Sequence, residues 1–281
     1  MHEFAFRPRS PYLLAPSAGP SDPTRRRFSG MLRATFRLPS GSATATVWQE
    51  RDGSIHVRSA CDNPEAAHDA LRRILRVDAD HRPFHRMAAA DALLRPLSRR
   101  MRGVVPLMRA TPEHALVQAV CGQLIRSSEA RVIERRVVAA TSGRRDGLYE
   151  PPTRQTLCAV HGASLARAGL SSARASVLHR AARRLPWPQL SSATTAQAIA
   201  RIRREPGLGP WSAGMIMLYG YGRDDAGLVD DLGLVRLCRQ LGVEHTAELL
   251  DRYAPWQGPA SVWLLHHPLA ADARRQQPRP L

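Results

Sequence analysis

Apolar and β-branched residues alternate with polar ones over three short runs, 28–38, 43–50 and 54–58. Pro39-Ser40-Gly41-Ser42 and Arg51-Asp52-Gly53 separate the runs with turn residues. The pattern predicts a small antiparallel sheet. The period then changes. Asn63 caps a predicted helix that begins Pro64-Glu65 and carries Ala67, Leu71, Ile74 and Leu75 on one face. From Thr111-Pro112-Glu113, a cap followed by proline at the first helical position, the spacing is helical throughout. Leu116, Val117, Val120, Leu124 and Ile125 share one face, and further helices are predicted over 130–140, 157–168, 172–185 and 194–203. Gly169 suits a helix end, and Ser171 or Ser172 the next cap. Residues 1–25, rich in Pro, Ser and Gly, read as an irregular arm. The expected class is α+β, with a small antiparallel-sheet α+β domain over 26–106 and an all-helical domain over 107–281.

The 281 residues, 43% of them hydrophobic, suffice for one large or two modest domains. No apolar run approaches the roughly 20 residues that span a bilayer, and residues 1–20 lack a signal-peptide core. Cys61, Cys121, Cys158 and Cys238 are widely spaced and form no C-x-x-C. The histidines, His266-His267 included, show no metal spacing. The expectation is reduced thiols, a cytoplasmic chain and no metal site. The formal net charge of +17 favours a polyanionic partner, and nucleic acid is the usual one. All 41 basic residues are arginine. Without lysine, no side-chain amine can form a Schiff base.

The densest signal is 205–236, E-P-G-L-G-P-W-S-A-G-M-I-M-L-Y-G-Y-G-R-D-D-A-G-L-V-D-D-L-G-L-V-R. Gly207-Leu208-Gly209 joins two predicted helices. Glycine permits positive φ, and exposed N–H groups beside a helix start suit a phosphate. Leu208 would pack between the helices. A G-x-G turn also occurs for geometry alone, and the pair Asp230-Asp231 is consistent with helix capping at both positions.

Together, Leu208-Gly209-Pro210-Trp211-Ser212-Ala213 and Asp230-Asp231 resemble the helix-hairpin-helix DNA glycosylase superfamily, within it the DNA-3-methyladenine glycosylase II (AlkA-like) branch. Ala119–Ile125 resembles that family's first core helix and Gly169–Arg174 its G-L-S-x-x-K/R turn. Arg252-Tyr253-Ala254-Pro255-Trp256 resembles its closing helix. The resemblance covers 102–267 well and the first hundred residues loosely.

It implies an enzyme of base excision repair that flips a damaged nucleotide from duplex DNA and hydrolyses its N-glycosidic bond. Asp231 matches the catalytic aspartate, with Asp230 as the helix cap. Gly207, Leu208 and Gly209 match the DNA-gripping hairpin. Leu124 matches the residue that fills the gap left by the flipped base, with Gln123 beside it, although its helical phase fits a core residue equally well. Trp211 matches a pocket tryptophan and also stands where strand-nicking relatives carry lysine, so a monofunctional enzyme is implied. Tyr219, Trp263, Tyr221 and Trp256 are further pocket candidates.

Two positions depart from the branch. Leu265 stands where it stacks a tryptophan on the base, and Met215 replaces a pocket tyrosine. Alkylated bases are therefore the first expectation, with oxidised or deaminated bases, or a noncatalytic damage-binding module, as alternatives. A bacterial, nucleoid-associated monomer is implied, without a nucleotide cofactor. A monovalent cation held by hairpin carbonyls on DNA is a further implication.

Overall fold

The computed structural model describes residues 1–20 and 22–270. Strands β1 (His2–Phe6), β2 (Arg25–Phe28), β3 (Met31–Leu38), β4 (Gly41–Gln49) and β5 (Ile55–Ala60) form one antiparallel sheet, ordered β1-β5-β4-β3-β2. A single helical turn, α1 (Leu14–Ser17), follows β1, and α2 (Pro64–Leu75) follows β5. Phe36, Val47, Ile55 and Val57 form a buried cluster with Ala67, Leu71 and Leu75 of α2. Asn63 caps α2 by accepting from the Ala66 N–H at 3.0 Å.

The sequence pattern misled in two places here. The predicted strand 28–38 is two strands, because Ser29 and Gly30 both take positive φ (44° and 78°) and reverse the chain. A hairpin turn of this hand matches the twist of its strands. The N-terminal arm is not irregular throughout. Residues 2–6 pair with β5, and Phe6, Tyr12 and Leu14 enter the sheet's core. Tyr12 also donates to the Leu75 carbonyl at 2.8 Å. Alternating apolar residues at positions 4 and 6 outweigh the Pro and Ser content of residues 8–20.

The helical body comprises α3 (Arg82–Ala90), α4 (Arg95–Met101), α5 (Pro112–Gly122), α6 (Ser127–Thr141), α7 (Arg154–Ala159), α8 (Gly162–Arg167) and α9 (Ser172–Arg184). It continues through α10 (Trp187–Ser192), α11 (Thr195–Arg203), α12 (Pro210–Tyr221), α13 (Leu232–Leu241), α14 (Thr246–Asp251) and α15 (Gln257–Leu264). A two-residue hairpin, β6 (Arg144–Arg145) and β7 (Leu148–Tyr149), follows α6, and a 3-10 turn spans Pro268–Ala270. The predicted helix 157–168 is α7 and α8, broken where Val160 and His161 become extended.

Phe84, Ala88, Leu97 and Met101 join the helical core, while Val105 and Leu107 return to the sheet's core. Packing therefore does not follow a division at residue 106. Residues 271–281 of the helical region lie outside the described residues. At the centre is α12, apolar on all sides, packed against α5 and α11 and buried from Ser212 to Leu218. Sheet and body are joined by polar links. Thr35 donates its hydroxyl to the Tyr149 carbonyl at 2.6 Å, and the Arg76 guanidinium meets Asp224 at 2.7 Å.

Candidate active site and DNA-facing surface

Asp231 is the N-cap of α13, its Oδ1 accepting from the Gly233 N–H at 2.8 Å. Its Oδ2 accepts from Trp211 Nε1 at 2.9 Å. Both carboxylate oxygens are thus fixed, one by a backbone turn and one by a side chain of α12. The loop leading to Asp231 lies hard against α12. A Cβ on Gly214 would come within 2.2 Å of the Gly227 carbonyl oxygen. This approach sets the depth of Asp231 in the cleft. Asp230 is not the cap expected of it. It has φ 66°, its N–H donates to Thr246 Oγ1 at 2.8 Å, and its Oδ1 accepts from the same hydroxyl at 3.2 Å.

Asp231 opens onto a cleft of about 1680 Å³ between the sheet and the helical body. Trp211, Met215 and Tyr219, spaced i, i+4 and i+8 on α12, line it, as does Leu265. Four expected pocket residues therefore come together. Trp263 does not join them. It is 1% exposed in the core, edge-on to Phe84 at 4.8 Å and stacked on His85 at 5.9 Å. Trp256 packs on His81 and Phe84, and the Tyr221 hydroxyl donates to the Trp187 carbonyl at 2.9 Å. Two aromatic rings, Trp211 and Tyr219, are left at the cleft.

At the cleft mouth α5 stops at Gly122, before Leu124, so Leu124 is on no helical face. It has φ 56°, and its side chain is 85% exposed. A core role is thereby excluded. A left-handed, exposed leucine costs backbone energy and gains no burial within the protein. Gln123 ties this protrusion to the hairpin. Its Nε2 donates to the Gly207 carbonyl at 2.7 Å and to Ser212 Oγ at 3.2 Å, while its own carbonyl accepts from the Arg174 guanidinium.

The hairpin turn is 204–209. Gly207 has φ 89°, and a Cβ there would meet Val177 at 2.5 Å, so glycine is required twice over. Gly209 is extended (φ −83°), has open space at its Cβ position, and acts as the N-cap of α12. Its glycine is not demanded by backbone conformation. Leu208 is 3% exposed, so its side chain anchors the turn and leaves only backbone to face a ligand.

The carbonyls of Pro206 and Gly207 accept from Arg180 and Gln123. These two oxygens are thus already partnered within the protein.

The sequence reading missed the back wall of the cleft. Asp22, just before β2, accepts from the Arg109 guanidinium and lies 2.7 Å from Arg25 Nε. Arg109 reaches Glu134 at 3.4 Å and donates from Nε to Gln118 Oε1 at 2.9 Å. His114 Nε2 lies 3.1 Å from Glu134 Oε1. Burial, the largest single influence at both, pushes the Asp22 and Glu134 carboxyls up, but the neighbours together outweigh it: Arg109 at both, with Arg25 at Asp22 and the hydrogen-bonded His114 at Glu134. Both carboxyls are held below the ordinary range. One signal was available. Glu134 occupies the apolar phase of α6, set by Val137, Val138 and Thr141, where an unpaired carboxylate would be costly. Nothing in the local pattern points to Asp22 as its partner's partner.

No family model matches the chain. Over 261 residues it is 28% identical to a probable bifunctional transcriptional activator/DNA repair enzyme AlkA of Mycobacterium tuberculosis. The match covers 85% of this chain and 51% of the relative, so the chain spans about half the length of the curated relatives it matches. Among solved structures, a 3-methyladenine DNA glycosylase from Archaeoglobus fulgidus superposes with TM-score 0.81 at 20% identity, covering 94% of this chain and 97% of that one. The apo 8-oxoguanine glycosylase/lyase of Clostridium acetobutylicum gives TM-score 0.76 at 14% identity, covering 95% and 96%. The chain has the helix-hairpin-helix DNA glycosylase fold, and its sequence similarity lies with the AlkA-like branch of that superfamily.

Proposed function

We propose that this protein is a monofunctional DNA glycosylase that flips a damaged base out of duplex DNA and hydrolyses its N-glycosidic bond at Asp231. The observation that carries the reading is the placement of Asp231. Its carboxylate is fixed by two donors at the edge of a cleft large enough to admit a flipped nucleotide, with the Gly207–Gly209 hairpin and protruding Leu124 lining the same cleft. The named activities of the relatives support it.

The chemistry divides among these parts. Exposed backbone at Gly207 and Gly209, beside the start of α12, suits a backbone phosphate. Leu124 fills the space vacated in the stack. As the C1′–N bond lengthens, its electron pair leaves with the base and positive charge grows on the sugar. The preorganised carboxylate of Asp231 stabilises that charge. Water then adds to C1′ and loses one proton, which a neutral base takes up as it leaves; a cationic alkylated base departs already neutral, and the proton goes to solvent.

Trp211 stands where a nucleophilic lysine would be needed, and the chain has no lysine, so an abasic site is the expected product. Alkylated purines, named in relatives, are the first substrates to try. A cleft with two aromatic rings offers less cation–π attraction than a full aromatic cage.

The test incubates duplexes carrying defined lesions with wild-type protein and with Asp231→Asn. Expected are free base and an intact abasic strand from wild type, and release at least about 100-fold slower from the variant. A borohydride-trapped covalent adduct would overturn the monofunctional assignment.

A further inference from the structure

We propose that Arg174 is a positioning residue for base flipping: by holding the Gln123 carbonyl, it fixes Leu124 in its left-handed, protruding conformation at a set place beside the Gly207–Gly209 hairpin. The proposal rests on the glycosylase reading and deepens it, because it says how the residue that fills the stack is kept ready.

The Arg174 guanidinium donates to the Gln123 carbonyl. That carbonyl belongs to the peptide linking Gln123 to Leu124, so the bond fixes the peptide plane from which the φ of Leu124 turns. The side chain of Gln123 is held as well, Nε2 donating to the Gly207 carbonyl at 2.7 Å and to Ser212 Oγ at 3.2 Å. Pinned at both ends, Gln123 passes the strain of the exit from α5 to Leu124, which sits at φ 56° with its side chain 85% exposed. Without the guanidinium the peptide is free to turn, and Leu124 relaxes to negative φ, where leucine is unstrained.

Helix stability does not account for Arg174. Ser171 caps α9, its hydroxyl accepting from the Arg174 N–H at 3.4 Å, so the guanidinium belongs to the first turn. A cation there meets the positive end of the helix dipole, which disfavours it.

The same face of α9 holds the hairpin. Val177 and Arg180 follow Arg174 at three-residue steps. Val177 lies against Gly207, where a Cβ would come within 2.5 Å of it, and Arg180 donates to the Pro206 carbonyl. One stripe of one helix therefore touches both the turn suited to a phosphate and the loop that carries Leu124. Arg174, Gln123, Leu124 and Gly207 all line the cleft onto which Asp231 opens. Once a phosphate seats on the hairpin, Leu124 is already in place and enters the stack without a search through loop conformations.

The test compares Arg174→Met, which keeps the aliphatic stem and removes the donor, with Arg174→Lys, which restores one. Each is made in the full chain, alone and together with Leu124→Ala. The first readout is single-turnover base release from a fully paired duplex and from the same lesion in a one-nucleotide bulge, where less stacking has to be broken. The second is the fluorescence of 2-aminopurine next to the lesion, which rises as the stack opens and does not depend on cleavage. Arg174→Met is expected to slow release from the paired duplex about tenfold, as for one lost hydrogen bond from a charged donor, and by no more than Leu124→Ala does. Release from the bulge should change less than about threefold. Arg174→Lys should recover most of the loss, and Arg174→Met added to Leu124→Ala should cost nothing further, since no side chain remains to be placed. Stack opening should slow in step with release from the paired duplex. A folding defect slows both substrates alike and leaves their ratio unmoved. Equal slowing on both substrates, or slowing that adds fully to that of Leu124→Ala, overturns the proposal. Full additivity would make Arg174 a phosphate contact only, and the salt slope of DNA binding would then drop by about one in Arg174→Met. If wild-type protein opens the stack but releases no base from any lesion, the glycosylase reading fails and the positioning role is judged on the fluorescence. If it does neither, both fail.

Discussion

Leu124 cleanly separates a functional role from a structural one. Its side chain is 85% exposed, so truncation to alanine removes no packing within the protein. Core leucines cost about 2–5 kcal/mol on the same change, whereas Leu124→Ala should leave stability within about 0.5 kcal/mol. Seated in a DNA stack, the same side chain would be buried. Leucine carries roughly three more carbons than alanine at about 0.8 kcal/mol each, or about 2.4 kcal/mol in all. That corresponds to about a 50-fold fall in kcat/KM for excision from duplex DNA.

The backbone adds a second test at the same position. With φ 56°, Leu124 adopts a conformation that L-residues pay about 1–2 kcal/mol to occupy. Leu124→Gly relieves it, less about 1 kcal/mol for the greater freedom of glycine in the unfolded chain. The glycine variant should therefore be as stable as wild type, or more stable by up to about 1 kcal/mol, yet at least as defective in excision as the alanine variant. Urea unfolding and single-turnover excision on matched duplexes supply both numbers. Single-stranded substrate, which leaves no gap to fill, should narrow the difference. The reasoning is refuted if Leu124→Ala excises at the wild-type rate, or if it unfolds as readily as a core truncation.

Trp211→Phe keeps the ring but removes the donor to Asp231 Oδ2. A lost hydrogen bond to a charged group is worth about 1.5–3 kcal/mol, so kcat should fall about 10–150-fold with little change in DNA affinity measured by anisotropy. Trp263→Phe, in the core and away from the cleft, should alter the melting temperature but leave the ranking of lesions as it is; a changed ranking would return Trp263 to the pocket. Asp22 and Glu134 have folded carboxyls below their unfolded values, so their stabilisation is fully present above roughly pH 4.5 and is lost as pH falls through the folded values. Urea midpoints should drop between pH 5 and 3 and drop less in Glu134→Gln; a midpoint that rises on acidification contradicts this. His85, pushed down to about 4 by its burial, stays neutral while folded and favours protonation when unfolded, so it adds a loss of stability from about pH 6.5 to 4 that His85→Phe should remove.

Local pattern carried much of the architecture. The caps at Asn63, Thr111 and Ser171 and the glycine turn at Gly207 are decided within four residues of sequence, and each stands as read. What failed depends on distance. Phe4 and Phe6 became a strand because β5, some fifty residues on, offered an edge. Leu124 fits a helical phase that the chain does not continue, since α5 ends at Gly122 and Gln123 is drawn to the hairpin. Trp263 and Trp211 look equally suited to a pocket as letters. Only packing sends one to the core beside Phe84 and the other to Asp231. The polar wall joins Asp22 before the sheet to Arg109 and Glu134 in the helical body, a meeting no periodicity encodes. Asp231 was legible as chemistry through resemblance, but its role as cap was assigned to its neighbour Asp230.

The central claim is that the carboxylate of Asp231 drives base release. Its most direct test is Asp231→Asn, which retains an oxygen to accept from the Gly233 N–H and so preserves the cap of α13. Single-turnover release of free base from a lesion-bearing duplex should fall at least about 100–1000-fold, with DNA affinity and melting temperature near those of wild type. Release at an undiminished rate would contradict the account.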